Sequence, residues 1–128
     1  MDTSEIGKIY HDAETIIKQG EYGDCMYVIQ EGLVEIVGET DQGEVLLDLR
    51  GKGEFLGEMA IFERGVRSAT VRALGDARVL TIDKKNFLRR VYEDPSLAFH
   101  VMQTMSARIR KLSADVASLQ IKLDGSSG

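Results

Sequence analysis

Between residues 8 and 83 the chain alternates short apolar runs with polar breaks that contain glycine. The runs cover residues 15–18, 26–30, 33–37, 45–49, 69–73 and 79–82, are rich in Val and Ile, and partly alternate apolar with polar positions. They predict β-strands, because branched side chains suit a pleated surface buried on one face. Gly20, Gly23, Gly32, Gly38, Gly43, Gly51, Gly53, Gly57, Gly65 and Gly75 interrupt them at the cadence of an all-β fold. Breaks as short as Glu31-Gly32 and Asp41-Gln42-Gly43 predict hairpins, and short hairpin strands suit a barrel or roll.

After Asp83 glycine disappears until Gly125 and the spacing becomes helical. A first helix is predicted over 84–92, with Phe87, Leu88 and Val91 as its apolar face. Asp94-Pro95 ends it and opens a second over 96–123, since proline is tolerated in a first turn but not in a helix interior. The second helix carries Met102, Met105, Ile109, Leu112, Val116, Leu119 and Leu123 at alternating steps of three and four. Ile109 and Val116 at a with Leu112 and Leu119 at d is the combination that favours two parallel strands. Residues 97–105 are expected to pack on their own domain. For 109–123 a dimer seam and packing on the β-roll both remain open. The small polar tail 124–128 reads as a flexible end or a cloning scar, leaving 1–123 as the domain.

A chain of 128 residues, 43% hydrophobic, fits one soluble domain with a real core. The net charge of −5 argues against general binding to nucleic acid or membrane surfaces. The basic groups Lys84-Lys85, Arg89-Arg90 and Arg108, Arg110, Lys111 then read as solvated helix faces, and no nucleic-acid partner is expected. Cys25 is the sole cysteine, and neither a signal peptide nor an apolar run of membrane-spanning length is visible, so a reducing cytoplasmic setting and no membrane partner are expected. Cys25 itself is open to two readings, a small buried hydrophobe or a redox group.

The chemistry concentrates in residues 55–70, Phe-Leu-Gly-Glu-Met-Ala-Ile-Phe-Glu-Arg-Gly-Val-Arg-Ser-Ala-Thr. Gly57 lets backbone approach a ligand, and residues 58–62 predict one or two helical turns whose N–H groups and positive dipole end favour an anion. Arg67 adds a full charge on a planar group that matches two phosphate oxygens, while Glu58 would repel phosphate and suits a sugar hydroxyl. Backbone N–H groups of Ser68 and Ala69 can complete the cradle, and their small side chains leave room for a ligand. A strand-edge hydroxyl without ligand contact is the competing reading of Ser68, and Thr70 reads as a strand residue. A guanidinium held against buried backbone is costly to leave unpaired, so the empty site is expected to draw in water or an anion.

Phe-x-Gly-Glu-x-Ala followed by Arg-Ser-Ala-Thr resembles the phosphate-binding cassette of cyclic nucleotide-binding domains. The upstream stretch Gly20-Glu-Tyr-Gly-Asp-Cys-Met-Tyr-Val-Ile-Gln-Glu-Gly32 is similar to a second feature of that family. The resemblance runs over residues 9–113, with Leu56 as a departure. It implies a mainly β fold, an eight-stranded jelly-roll-like β-roll over 8–83 with a short cassette helix and two C-terminal helices. It implies reversible binding of a cyclic mononucleotide, cyclic AMP first and cyclic GMP second, by Gly57, Glu58, Met59, Ala60, Arg67, Ser68 and Ala69, without a cofactor or a metal. Signalling would follow from movement of the C-terminal helices about residues 92–95.

In the bacterial catabolite activator branch, adjacent hydroxyl residues of the long helix reach the adenine, one of them across a dimer. The matching pair here is Leu112-Ser113. Leu112 cannot hydrogen-bond a base and is open to reading as a lid or as a seam residue, whereas Ser113 keeps a hydroxyl. The implied partners are the nucleotide and a second copy held through Ile109, Leu112, Val116 and Leu119. Two rival classes stand beside this one: a roll that has lost its ligand and serves as a dimerisation module, and a phosphodiesterase or metal-dependent enzyme. The second finds little support, because His11 and His100 are far apart and lack a clustered carboxylate set.

Overall fold

The computed structural model describes residues 5–126, with side chains through residue 122. In chain order the elements are β1 (Lys8–Tyr10), β2 (Thr15–Ile17), β3 (Tyr22–Gly23), β4 (Cys25–Thr40), β5 (Gly43–Gly51), β6 (Phe55–Leu56), α1 (Met59–Phe62), β7 (Gly65–Val66), β8 (Thr70–Asp83), α2 (Lys84–Glu93) and α3 (Ser96–Ser126). This is the expected β-roll with a cassette helix and two C-terminal helices. The chain divides into two compact units, residues 1–88 and 89–128, which are taken in turn.

Two long strands organise the first unit. β4 and β8 pair antiparallel along most of their length, β5 extends the sheet beyond β4, β1 and β2 pair with β8, and β6 pairs with β4. The sequence runs 26–30 and 33–37 therefore belong to one strand. Glu31-Gly32 is not a hairpin turn but a bulge, with the register on β8 slipping from Glu31↔Arg78 to Leu33↔Leu74. The physical reason lies on the partner strand: a Cβ on Gly32 would collide with the Asp76 carbonyl oxygen and come within 2.9 Å of Ala77 Cα, and Gly32 takes φ +87°. Glycine here permits a close strand crossing and a local bend. The Asp41-Gln42 break is a true hairpin, with Thr40 paired to Gly43.

The sheet closes around Ile17, Ile29, Val34, Leu56, Val71, Ala73, Ala77 and Val79. Val71 and Ala73, then Ala77 and Val79, reach this core at the period of two that a strand imposes. Phe55 and Leu56, both almost fully buried, plug β6 into β4 through Tyr27↔Leu56 and Val28↔Phe55. Each such side chain contributes about 1.5–3 kcal/mol by leaving water, so the entry to the cassette is anchored by the residue that looked anomalous in the sequence. A second, two-stranded sheet pairs β3 with β7 through Tyr22↔Val66 and Gly23↔Gly65. At the start of α2, Asp83 accepts a hydrogen bond from the Asn86 N–H (2.8 Å), and Phe87 is buried with its ring edge-on to Phe62 at 6.1 Å. Leu88, expected on the apolar face, is 55% exposed.

In the second unit, the Asp94 carboxylate accepts bonds from the Ser96 N–H (3.2 Å) and hydroxyl (2.5 Å), capping α3 just after Pro95. Among the described residues of α3, Leu97 and Val101 are buried apolar side chains. Ile109, Leu112, Val116 and Leu119 are each about 60% exposed and form an uncovered apolar face. α3 continues to Ser126, past the expected end at 123. The expected seam position Leu123 lies outside the described side chains, and tail residues 127–128 lie outside the described residues.

Candidate functional site

The cassette leaves β6 at Gly57, whose φ of +69° is accessible to glycine and strained for other residues. A Cβ there would also lie 2.6 Å from Arg67 Nη1 and 3.4 Å from the Cys25 carbonyl oxygen. Glu58 follows, buried to 8% exposure, an uncommon setting for a carboxylate. It leads into α1 without capping the helix through its side chain. In α1, Ala60 and Ile61 face inward, while Met59 and Phe62 are more than half exposed. Two of the N–H groups expected to greet an anion are already engaged: Ala60 N–H donates to the Gly57 carbonyl and Ile61 N–H to the Glu58 carbonyl, both at 3.1 Å.

The chain returns through β7 to Arg67, whose backbone is fixed from both sides. Its N–H donates to the Glu21 carbonyl (2.8 Å), and its carbonyl accepts from the Gly20 N–H (2.9 Å). The guanidinium then folds back over β3 and the start of β4. Nη2 donates to the Cys25 carbonyl at 2.7 Å, Nη1 makes a long contact of 3.4 Å with the Gly57 carbonyl, and Cζ lies 5.8 Å from the centre of the Tyr27 ring. Backbone carbonyls thus already satisfy part of the charge. A guanidinium carries five N–H donors, and these two contacts leave donors over for a ligand.

Tyr27 and Cys25 complete the surroundings of Arg67. The Cys25 thiol donates weakly to the Tyr27 hydroxyl at 3.5 Å, and Arg67 Nη2 approaches the Cys25 sulfur at 3.9 Å. Burial, with that thiol contact next, pushes the Tyr27 hydroxyl well above the usual phenol range, against the pull of Arg67. Past Arg67, Ser68 is exposed and Ala69 half-buried. Thr70 is buried and structural. Its hydroxyl donates to Glu39 Oε2 and accepts from the Gln19 N–H, each at 3.0 Å. Lys18 bonds the same Glu39 at 2.8 Å, and the Lys18 and Thr70 bonds together hold the Glu39 carboxyl below its usual range.

Gly57, Glu58, Met59, Ala60, Arg67, Ser68 and Ala69 thus lie in one segment of the first unit, with Gly57 and Arg67 in direct contact. Leu112 and Ser113 belong to the second unit, both exposed on α3. Sequence reasoning missed Gly23, the Cys25 carbonyl and the Tyr27 ring, which seat Arg67 from more than 40 positions upstream in the case of Cys25. Gly23 and Tyr27 fall inside the upstream stretch that carried the family resemblance; a backbone carbonyl carries no side-chain signal. Among the described residues, no group of three or more His, Cys, Asp or Glu is arranged to hold a metal ion, and no helix is long and apolar enough to cross a membrane.

The first unit is thus a β-roll that presents a Gly-Glu turn, a one-turn helix and an inward-folded arginine. The family model for the cyclic nucleotide-binding domain matches residues 8–94, and the chain belongs to that family. It is 32% identical over 112 residues to the cAMP-activated global transcriptional regulator CRP of Salmonella typhimurium, covering 86% of this chain and 53% of that protein. The catabolite activator protein of Thermus thermophilus superposes with a TM-score of 0.80 at 27% identity, over 88% of this chain and 54% of that one. The cAMP-bound form of the EAL enzyme Bd1971 superposes with a TM-score of 0.62 at 36% identity, over 91% of this chain and 31% of that one. A cGMP-bound form of the same enzyme superposes similarly, with a TM-score of 0.63. The chain therefore spans about half the length of the two regulators, and less of the enzyme.

Proposed function

We propose that this domain is a cytoplasmic sensor that reversibly binds a cyclic mononucleotide, cyclic AMP in the first place, and signals by moving its C-terminal helices. The observation that carries the reading is the Arg67 guanidinium, held in the Gly57 turn by the Cys25 and Gly57 carbonyls with donors left over. In this reading Arg67 takes two phosphate oxygens, the Ser68 and Ala69 N–H groups complete the cradle, and Met59 and Ala60 shape its wall. Buried Glu58 accepts the ribose 2′-hydroxyl. Ser113 offers the base a hydroxyl, and Leu112 offers it only an apolar surface. Relatives described as cAMP-activated and as cAMP-bound support the first choice of ligand, and a cGMP-bound neighbour keeps cyclic GMP as the second.

The signalling step is a population shift. A ligand that binds one arrangement of cassette and helices about 3 kcal/mol more tightly than the other changes their ratio roughly a hundredfold. The Cys25 and Gly57 carbonyls hold the Arg67 fork at rest, and phosphate takes the donors they leave over, so ligand entry draws the cassette around a guanidinium that is already oriented.

Calorimetric titration with cyclic AMP, cyclic GMP, 2′-deoxy cyclic AMP and linear 5′-AMP tests the reading. The expected order places cyclic AMP first, with the deoxy and linear forms weaker. Arg67→Ala should cost about 2–4 kcal/mol of binding while leaving the fold intact, since it removes a charge-assisted contact from a partly desolvated site. Equal affinity for cyclic and linear AMP would indicate a general nucleotide site. No binding of any cyclic nucleotide would leave the rival, a dimerisation module, which the uncovered α3 face favours.

A further inference from the structure

We infer that Gly23 on β3 is a positioning residue for the nucleotide site: its missing side chain is the space in which the Arg67 guanidinium lies. This rests on the reading of Arg67 as the phosphate ligand. A Cβ built on Gly23 would collide with Arg67 Nε and Cζ and stand 2.6 Å from Nη2, so the three atoms nearest to it all belong to that one guanidinium. Gly23 is buried, and it is not one of the glycines with positive φ. Its backbone conformation is therefore open to other residues, and the need for glycine comes from the arginine. Its cross-strand neighbour Gly65 is the natural contrast. A Cβ there comes no closer than 4.0 Å to any neighbour, the Glu63 carbonyl oxygen, so glycine at that position is not demanded by contact.

The consequence is a division of labour around one cation. The Cys25 and Gly57 carbonyls bond its edge, while Gly23 and Gly57 leave room on its flanks. A methyl at Gly23 would push the flexible end of Arg67 out of this seat without touching the β3–β7 pairing. Since phosphate recognition by a guanidinium depends on the orientation of its fork, displacement should act like partial removal of the arginine.

The test is a double-mutant cycle in the full chain between Gly23→Ala and Arg67→Ala, read by cyclic AMP titration, with Gly65→Ala as the control. Gly23→Ala alone should weaken binding by roughly ten- to a hundredfold, Gly65→Ala should leave it unchanged, and Gly23→Ala should cost nothing further once Arg67 is alanine. Wild-type affinity in Gly23→Ala, or the same loss in both backgrounds, overturns the inference. Should Gly23→Ala fail to fold, a folded Gly23→Ala/Arg67→Ala protein supports eviction of the arginine, and an unfolded one overturns it. Should the wild type bind no cyclic nucleotide, the function proposed above fails while the seat is still read directly. The Arg67 Nε–H NMR resonance should then move toward the position of free arginine in Gly23→Ala, and an unmoved resonance overturns the inference.

Discussion

On the proposed reading, Arg67 serves the fold and the ligand with different atoms. One N–H of Nη2 ties the cassette to the start of β4 through the Cys25 carbonyl, and the remaining donors are what a phosphate can use. Tyr27 beside it offers a second handle at this scale. Burial raises the Tyr27 hydroxyl above its ordinary value of 10.0, and burial raises Tyr10 in the same direction. A raised folded-state value means the folded chain keeps protons that the unfolded chain releases. The stability from these groups is thus fully present below about pH 10 and is lost as pH rises further. Phenolate absorbance followed against pH should show the Tyr27 contribution, isolated as the difference between wild type and Tyr27→Phe, appearing only with unfolding. A difference curve that follows a free phenol would contradict the burial.

At the scale of elements, β4 and β8 carry the architecture, and at Gly32 the two strands leave no room for a side chain. Alanine at Gly32 meets two penalties, a φ of +87° and a collision with the Asp76 carbonyl. Gly53 shares the same φ of +87° but has no heavy atom within 4 Å of its would-be Cβ. Gly53→Ala should therefore carry only the conformational cost, about 1 kcal/mol, whereas Gly32→Ala should cost about 2–4 kcal/mol by urea unfolding. Equal losses would mean that β4 and β8 can part at the bulge without resistance. The cassette sits between strands that resist such movement, with its entry plugged by Phe55 and Leu56 and its exit locked by the Thr70, Glu39 and Gln19 hydrogen bonds. On the proposed reading, rearrangement on binding begins in residues 57–69.

For the whole molecule, the open question is what covers α3. Ile109, Leu112, Val116 and Leu119 repeat at coiled-coil spacing and stand exposed, which is costly for a helix left alone in water. The expected outcome in sedimentation is a dimer, and Val116→Asp with Leu119→Asp should give a folded monomer because charges cannot enter the apolar seam. A wild type that stays monomeric at high micromolar concentration with and without cyclic AMP would sink the dimer.

The sequence by itself determined what depends on neighbours in the chain. Strand runs punctuated by glycine, the Asp94-Pro95 break and the apolar rhythm of α3 all read correctly, because period, turn chemistry and capping act within a few residues. Gly57, Glu58, Arg67, Ser68 and Ala69 stood out for the same reason, because they lie inside one short segment, and the structure brings Gly57 and Arg67 into contact. Tertiary structure alone decided whether Glu31-Gly32 would turn or bulge, because that depended on how closely Asp76 and Ala77 of β8 approach. It alone gave Arg67 its resting partners, since the Cys25 and Gly57 carbonyls are backbone groups that every residue carries. Leu88 likewise reads as core by period yet stands in solvent, because burial is set by what packs opposite a face and not by the face itself.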